Sequence, residues 1–318
     1  MTNDEIDYDA LLKGDRRSLA RAISIVENLG LHEPYVSRIS EMKRTAFVIG
    51  ITGPLGTGKS SLVDELIDAY VDKGRTVGVL AIDPTSPLTG GALLGDRLRM
   101  TRHTLNNGVF IRSMASRGQQ GGLAKSARSV VSLLNASGKD IIIVETIGAG
   151  QSDVEVMNLA DVVVVVTMPG LGDEIQTSKA GLMEVGDIFV INKSDLGGAD
   201  KMMIYFNDLL RGTNNSAHWV PPVVKTSSVT GDGLSELLTA LNSREEFLKE
   251  KKTGPFHGKK ENIQDEIIKL MADELKRIAM KKLSQSVDLQ KFIKLVERGK
   301  LDPLQAAREI SSRLIQDS

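Results

Sequence analysis

The sequence predicts an α/β fold with a doubly wound, mostly parallel sheet and helical extensions at both ends. The first observation is the stretch from Phe47 to Ser61, FVIGITGPLGTGKSS, in which a β-branched apolar run leads through a glycine-rich loop into an amphipathic helix pattern. The second is the alternation of continuous apolar runs with helical patterns, which is typical of parallel strands covered on both faces. The third is a polar motif, Asn192 to Asp195, directly after one such run. Together they predict a P-loop nucleotide triphosphatase fold.

Apolar runs predict the strands of this sheet. After Phe47–Ile51 they occur at Val77–Ile82, Val109–Ile111, Asp140–Glu145, Asp161–Thr167, Ile188–Ile191 and Val223–Val224. Helical periodicity predicts helices in the connections, including Leu62–Lys73 and Leu123–Asn135. In parallel sheets of this kind ligands bind outside the carboxyl ends of the strands, so the motifs at those ends define the candidate site.

The chain divides by pattern into three predicted parts. Residues 1–44 form a helical N-terminal extension, 45–242 the nucleotide-binding domain, and 243–318 a helical C-terminal arm. The arm includes a helical stripe at Ile263, Ile267, Leu270, Met271, Leu275 and Ile278, and a Lys-rich connection at 249–260. These helices either add to the core or pair with another subunit, and periodicity alone leaves both open.

Composition narrows the class of protein. The 318 residues carry a formal net charge of −1, which gives no electrostatic case for binding nucleic acid or an anionic membrane. Cysteine is absent, which excludes disulfides, cysteine nucleophiles and thiolate metal sites. No apolar run approaches the length of a membrane span, and the acidic N-terminus is unlike a signal or transit peptide. We therefore predict a cytoplasmic protein.

The glycine-rich loop has the spacing G-x-x-x-x-G-K-S of a phosphate-binding loop. Its backbone N–H groups and the following helix N-terminus can surround phosphate oxygens. Lys59 can reach the outer phosphates as a catalytic cation, and the Ser60 hydroxyl can ligate Mg²⁺. The predicted phosphate contacts are Gly53, Pro54, Leu55, Gly56, Thr57, Gly58, Lys59, Ser60 and Ser61.

Asn192, Lys193 and Asp195 form the pattern N-K-x-D, which selects guanine. The Asp195 carboxylate can accept from the ring N–H and the exocyclic amino group, a donor pair that adenine lacks. Asn192 can face the base edge, and the aliphatic stem of Lys193 can lie along the ring. At the next strand end Ser227, Ser228 and Val229 can place backbone N–H groups on the guanine carbonyl, although an ordinary polar turn has the same appearance. The expected ligands are GTP and GDP with Mg²⁺.

Two carboxylates follow neighbouring strands and are candidate metal-site residues. Glu145 begins E-T-I-G, which has the form of the γ-phosphate-sensing D-x-x-G, so that Gly148 can meet the γ-phosphate. Asp83 ends the second strand and can hold Mg²⁺ through water, although an Asp-Pro turn is the alternative. Gln151 does not directly follow Gly148, which predicts slow intrinsic hydrolysis that a partner accelerates.

The chain resembles the GTPases associated with methylmalonyl-CoA mutase, the family of MeaB and the methylmalonic aciduria type A protein, whose members are often labelled transport-associated kinases. The matching stretches are LLKGDRRSLARAI at 11–23, the phosphate loop, AIDPTSP at 81–87, LGD at 94–96, RSMASRG at 112–118, ETIGAGQ at 145–151, PGLGDE at 169–174 and NKSD at 192–195. The Lys-rich stretch at 242–260 replaces a tryptophan-containing segment of many relatives.

The resemblance implies a SIMIBI-class GTPase that dimerises through its C-terminal helices. It further implies a chaperone that escorts adenosylcobalamin into methylmalonyl-CoA mutase and protects the mutase from inactivation. Among individual residues, it implies Asp96 near the metal and a switch segment at 169–179 with Asp173, Glu174 and Lys179 reading partner and nucleotide.

Two other functions remain open from the residues. A nickel-insertion GTPase shares the fold class, although such proteins normally bring Cys or His clusters, and this chain has no cysteine and only dispersed histidines. A transport-linked kinase is the last alternative, since the guanine pattern and the lack of an evident acceptor site weigh against it.

Overall fold

A seven-stranded sheet organises the nucleotide-binding part of the chain. The computed structural model describes residues 6–29, 39, 46–84, 101–103, 105–116, 122–146, 157–170, 186–212, 219–250, 268, 271–272, 275, 278–280, 282–283 and 288–316. The strands are β1 Phe47–Thr52, β2 Val77–Pro84, β3 Val109–Ser116, β4 Ile141–Thr146, β5 Val162–Thr167, β6 Ile188–Ile191 and β7 Val223–Lys225. The helices are α1 Tyr8–Leu12, α2 Arg16–Leu29, α3 Lys59–Asp72, α4 Gly122–Ala136, α5 Ala199–Gly212, α6 Leu234–Glu250, α7 Asp288–Glu297 and α8 Pro303–Gln316.

The strand order is β3-β2-β4-β1-β5-β6-β7, and every pairing is parallel. The chain therefore starts at the centre of the sheet, builds one half, returns to β4 beside β1, and then builds the other half. This reversal places a crevice at the carboxyl end of β1, where the phosphate loop begins. The predicted α/β fold with a parallel sheet is confirmed.

Alternate residues of each strand enter two separate hydrophobic clusters, one on each face of the sheet. In β1, Val48 belongs to the cluster that contains α2 and α4, whereas Ile49 and Ile51 belong to the cluster that contains α3 and α6. This follows from the two-residue repeat of a strand, in which successive side chains point to opposite faces of the sheet. Because both faces are covered, the odd-numbered and the even-numbered residues of the strand are both apolar. The N-terminal helix α2 therefore packs directly on the sheet through residues such as Leu19 and Ile23.

Strand β3 is longer than its apolar pattern predicted. It was expected at Val109–Ile111 but continues to Ser116, pairing with β2 as far as Pro84. Because β3 is an edge strand, backbone pairing with β2 stabilises it even where its side chains turn polar.

The domain boundary predicted from the sequence lies between residues 242 and 243. That point lies inside α6, and the compact units are Met1–His257 and Gly258–Ser318. The helix continues because it is held beyond residue 242: Arg244 Nη2 lies 2.7 Å from Asp187 Oδ1, and the Arg244 guanidinium lies 5.0 Å from the Trp219 ring centroid.

Within Gly258–Ser318, α7 and α8 contact each other, with Phe292 and Ala306 buried. Ile268, Met271, Leu275 and Ile278 are helical and exposed, while the predicted stripe residues Ile263, Ile267 and Leu270 lie outside the described residues. In the part of the chain that the structure describes, no helix has the length and apolar character needed to cross a bilayer.

Candidate nucleotide-binding site

The phosphate loop leaves β1 and turns through glycines in conformations that other residues avoid. Gly53, Gly56 and Gly58 have φ values of 141°, 82° and 89°. A Cβ at Gly53 would overlap the carbonyl oxygen of Val166, and one at Gly58 would overlap the Asn192 side-chain amide. These two positions therefore need glycine both for their backbone angles and for close packing against β5 and the loop after β6.

Lys59 is buried on the inner side of this loop. Its Nζ donates to the carbonyl oxygens of Gly53 and Pro54 at 2.7 and 2.9 Å, and Thr57 Oγ1 donates to Pro54 O at 2.9 Å. The ammonium group is thereby fixed at the concave side of the loop, where a compact cation with three donors can meet phosphate oxygens. Leu55 is exposed at the loop and Ser61 is exposed on α3.

Ser60 and Glu145 meet at the carboxyl ends of β1 and β4. The Ser60 hydroxyl donates to Glu145 Oε1 at 2.8 Å, and the Glu145 side chain is buried. Next to them, Thr146 Oγ1 donates to Thr52 Oγ1 at 3.0 Å, which ties β4 to the start of the loop. A hydroxyl and a carboxylate are the hard oxygen donors that Mg²⁺ takes, so this pair fits a magnesium site.

Of the other predicted metal and catalytic residues, Asp83 is the one that lies among the described residues. Asp83 lies on β2 opposite Ala115 of β3, two residues beyond the pair Ala81–Glu145, which places its backbone at the same edge of the sheet. Asp96, Gly148 and Lys179 lie outside the described residues.

Asn192 connects the phosphate loop to the turn after β7. It is 1% exposed, its Nδ2 donates to Thr57 O at 2.8 Å, and its Oδ1 accepts from Thr226 Oγ1 at 3.0 Å. Ser228 Oγ lies 3.5 Å from the same Oδ1. The structure therefore places this side chain as a buried link between two loops, and its predicted contact with the base edge stays a prediction.

Lys193 and Asp195 lie at the rim beside this link. Lys193 has φ 55° and ψ 40°, a left-handed conformation that costs a non-glycine residue about 1–2 kcal/mol. Its side chain passes close to Gly58, with Cε 3.9 Å from where a Cβ would lie there. Asp195 is exposed, and its Oδ1 accepts a 2.6 Å hydrogen bond from the buried Ser227 hydroxyl, which fixes the orientation of the carboxylate.

The turn after β7 is closed by its own backbone. Ser227 N donates to Asp232 O at 3.0 Å, and Gly231 N donates to Ser227 O at 2.8 Å. Ser228 is half-buried and Val229 is exposed on this turn. The structure thus brings the phosphate loop, Glu145, Asn192–Asp195 and the Ser227–Val229 turn to one edge of the sheet.

Sequence reasoning missed a cluster on α3. Asp64 and Asp68 contact Arg102 and the buried His103, a histidine to which the sequence assigned no role. The available signal was the i, i+4 spacing of the two aspartates, which places both on one helix face.

Comparisons with known proteins agree with this geometry. A family model described as methylmalonyl-CoA mutase-associated GTPase MeaB matches residues 19–284. A putative GTPase of Pyrococcus horikoshii is 43% identical over 315 residues, covering 96% of this chain and 97% of the relative. The GTPase ArgK of Escherichia coli is 35% identical over 240 residues, 73% of this chain and 72% of the relative.

A mouse protein named methylmalonic aciduria type A homolog, mitochondrial, is 32% identical over 249 residues, 72% of this chain and 60% of the relative. Among solved structures, a LAO/AO transport system kinase has a TM-score of 0.64 at 24% identity, covers 96% of each chain, and supports the fold. The family match and the extent of the sequence identities show that the chain belongs to the methylmalonyl-CoA mutase-associated GTPase family, MeaB.

Proposed function

We propose that this chain is a GTP-hydrolysing chaperone that assists adenosylcobalamin loading and protection of methylmalonyl-CoA mutase or a related acyl-CoA mutase. The observation that carries the GTP-binding part is the hydrogen bond from Asn192 Nδ2 to Thr57 O, because it joins the N-K-x-D motif to the phosphate loop. The mutase part is supported by the description of the family model and by the name of the mouse relative.

In the proposed site each residue has a separate task. The phosphate loop and Lys59 hold the phosphates, while Asp195, with Ser227 behind it, reads the guanine edge. Ser60 and Glu145 hold Mg²⁺, with Asp83 and Asp96 as further candidates; the bound ion supplies charge neutralisation for the phosphates. We also propose catalytic roles for Gly148, at the γ-phosphate, and for Lys179.

Hydrolysis by the isolated protein is expected to be slow, because no glutamine directly follows Gly148. The test is to measure GTP turnover with and without the host's cobalamin-dependent mutase. A rate for the isolated protein equal to that of the mutase-bound protein would contradict the proposal that a partner accelerates hydrolysis.

The partner itself is tested by co-purification of the chain with that mutase, once with GDP and once with a non-hydrolysable GTP analogue. We expect a complex whose stability differs between the two nucleotides. If the protein binds both nucleotides but forms no complex with the mutase in either state, the chaperone role is refuted and the GTP-binding part of the proposal stands. Transfer of phosphate from ATP to an acceptor would favour the kinase alternative, and stoichiometric nickel binding would favour the metal-insertion alternative.

We also propose a homodimer formed through the C-terminal unit. Ile268, Met271, Leu275 and Ile278 are 42–62% exposed, and their spacings of three, four and three residues are those of a helix–helix seam. The test is light scattering on Leu275→Asp, with Val220→Asp as the control for an equally exposed apolar residue in the other unit. A dimer that persists in Leu275→Asp would argue against this seam. The cytoplasmic location remains a prediction from sequence.

A further inference from the structure

An ion pair joins the N-terminal helix α2 to the edge strand β3. Arg112 of β3 donates from Nε to Glu27 Oε1 at 3.1 Å and from Nη2 to Glu27 Oε2, so the guanidinium meets the carboxylate at two points. The same Nη2 lies 3.3 Å from the hydroxyl oxygen of Ser24, one turn earlier on α2. Both charged side chains are mostly covered, with 22% of Arg112 and 15% of Glu27 exposed. A two-point contact of this kind fixes the relative position and orientation of the two groups better than a single hydrogen bond does.

Strand β3 in turn holds the end of β2, where Asp83 lies. Among the described strands, the pairing of β2 with β4 ends at Ile82, whereas its pairing with β3 continues through Asp83, opposite Ala115, to Pro84. In the described sheet β3 is an edge strand, so its own backbone pairing comes from the β2 side. The backbone position of Asp83 therefore depends on where β3 lies.

Arg112 is well placed to hold β3 in position. It lies three residues before Ala115, and its neighbours at two-residue spacing, Phe110 and Met114, are buried in the hydrophobic cluster that contains α2. Because side chains alternate along a strand, Arg112 projects from this same covered face. A charge on such a face is costly unless it is paired, and Glu27 supplies the opposite charge. Loss of either partner leaves the other charge in a covered place, and we expect β3 to shift so that water can reach it.

We propose that Arg112 and Glu27 are positioning residues for the magnesium site, which act by holding β3 and, through β3, the Asp83 end of β2 at the carboxyl edge of the sheet. The inference rests on the proposed function, since it takes Asp83 as a residue of the metal site. It gives the N-terminal helix α2 a task in nucleotide binding, because α2 carries the carboxylate that fixes the edge strand.

The experiment measures binding of a fluorescent, non-hydrolysable GTP analogue while Mg²⁺ is titrated. Arg112→Gln is expected to raise the Mg²⁺ concentration at half-maximal binding about fivefold. This is less than the roughly tenfold or greater loss seen when a direct partner of a metal ligand is removed, because Arg112 acts through two strands. Affinity for the analogue in the presence of a Mg²⁺ chelator should stay within about twofold, since the phosphate-loop and guanine contacts are unchanged. Arg112→Lys keeps the charge without the planar fork, so it should give an intermediate shift and serves if the glutamine variant does not fold.

Arg244→Gln is the matched control. Arg244 forms a similarly covered ion pair with Asp187, with 12% and 21% of the two side chains exposed, beside the other half of the sheet. It should lower the thermal midpoint, as Arg112→Gln does, without changing the Mg²⁺ requirement.

Double-mutant cycles separate positioning from general loosening. Glu27→Gln should give the same shift as Arg112→Gln, and the two changes together no more than either alone, because both remove one pair. Asp83→Asn should raise the Mg²⁺ requirement by itself, and Arg112→Gln should add nothing in that background. An equal shift of Arg112→Gln in both backgrounds, or one no larger than that of Arg244→Gln, would overturn the inference while leaving the proposed site intact. An unchanged Mg²⁺ requirement in Asp83→Asn would instead refute the proposed metal role of Asp83, and this inference with it, so the two failures are distinguishable.

Discussion

The proposed phosphate side and the proposed guanine side of the site are constructed differently. The phosphate side is one continuous stretch, residues 53–61, whose shape depends on glycine backbone angles and on Lys59 bonding to carbonyls of its own loop. The guanine side combines two segments, Asn192–Asp195 and Thr226–Val229, through side-chain hydrogen bonds across loops. The phosphate side is therefore built within one segment, to which Asn192 adds a single hydrogen bond at Thr57 O, whereas the guanine side depends on the correct pairing of β6 with β7.

Lys59→Ala tests the phosphate side and has the largest expected effect. It removes the ammonium group from the inner side of the loop, where the phosphate charge is proposed to lie. We expect GTP turnover to fall by at least about 100-fold, as when one fixed charge-stabilising donor is lost. Turnover and the thermal midpoint are measured together, with Lys73→Ala at the other end of α3 as the control. Near-wild-type turnover in Lys59→Ala would show that this loop does not hold the reacting phosphates.

Asp195→Asn tests base selection on the guanine side. The change replaces an acceptor oxygen with a donor amide, which opposes the guanine amino group but suits the carbonyl of xanthine. We expect GTP affinity to fall about 10- to 100-fold, the range for a lost hydrogen bond to a charged group. Competition between GTP and xanthosine triphosphate measures the change in preference. Unchanged GTP affinity would remove the argument for guanine.

Asn192→Ala tests the link between the two sides. The Asn192 side chain is hydrogen-bonded to Thr57 and Thr226, so its removal should lower the affinity for any nucleotide without changing the preference between bases. We expect about a tenfold loss for GTP and for inosine triphosphate alike, and a stability loss of about 1–3 kcal/mol for the unpaired buried groups. Binding assays with both nucleotides and denaturant unfolding provide the measurements. A selective loss for GTP would instead assign Asn192 to the base edge, as the sequence first suggested.

The contrast between the two sides also explains which features could be predicted from the sequence and which could not. Strand positions and the phosphate loop were predictable, since apolar periodicity and glycine spacing are local properties of the chain. The partner of Asn192 was not predictable, because Thr57 lies 135 residues away and the contact depends on how β6 is placed relative to β1. The extension of β3 to Ser116 and the contact of Arg102 with Asp68 depend in the same way on tertiary neighbours.

Ser227→Ala has the smallest expected effect and tests how finely the guanine side is set. The Ser227 hydroxyl donates to Asp195 Oδ1 at 2.6 Å, so its removal frees the carboxylate to rotate without altering its charge. We expect the KM for GTP to rise about threefold with kcat unchanged, since one hydrogen bond that orients a binding group is lost. Thr239→Ala is the control, because its hydroxyl is exposed and donates within α6, to Ser235 O at 2.9 Å. In the Asp195→Asn background the same change should have no further effect. An undiminished effect there would mean that Ser227 shapes the turn itself, and that the guanine side, like the phosphate side, is set by its own backbone.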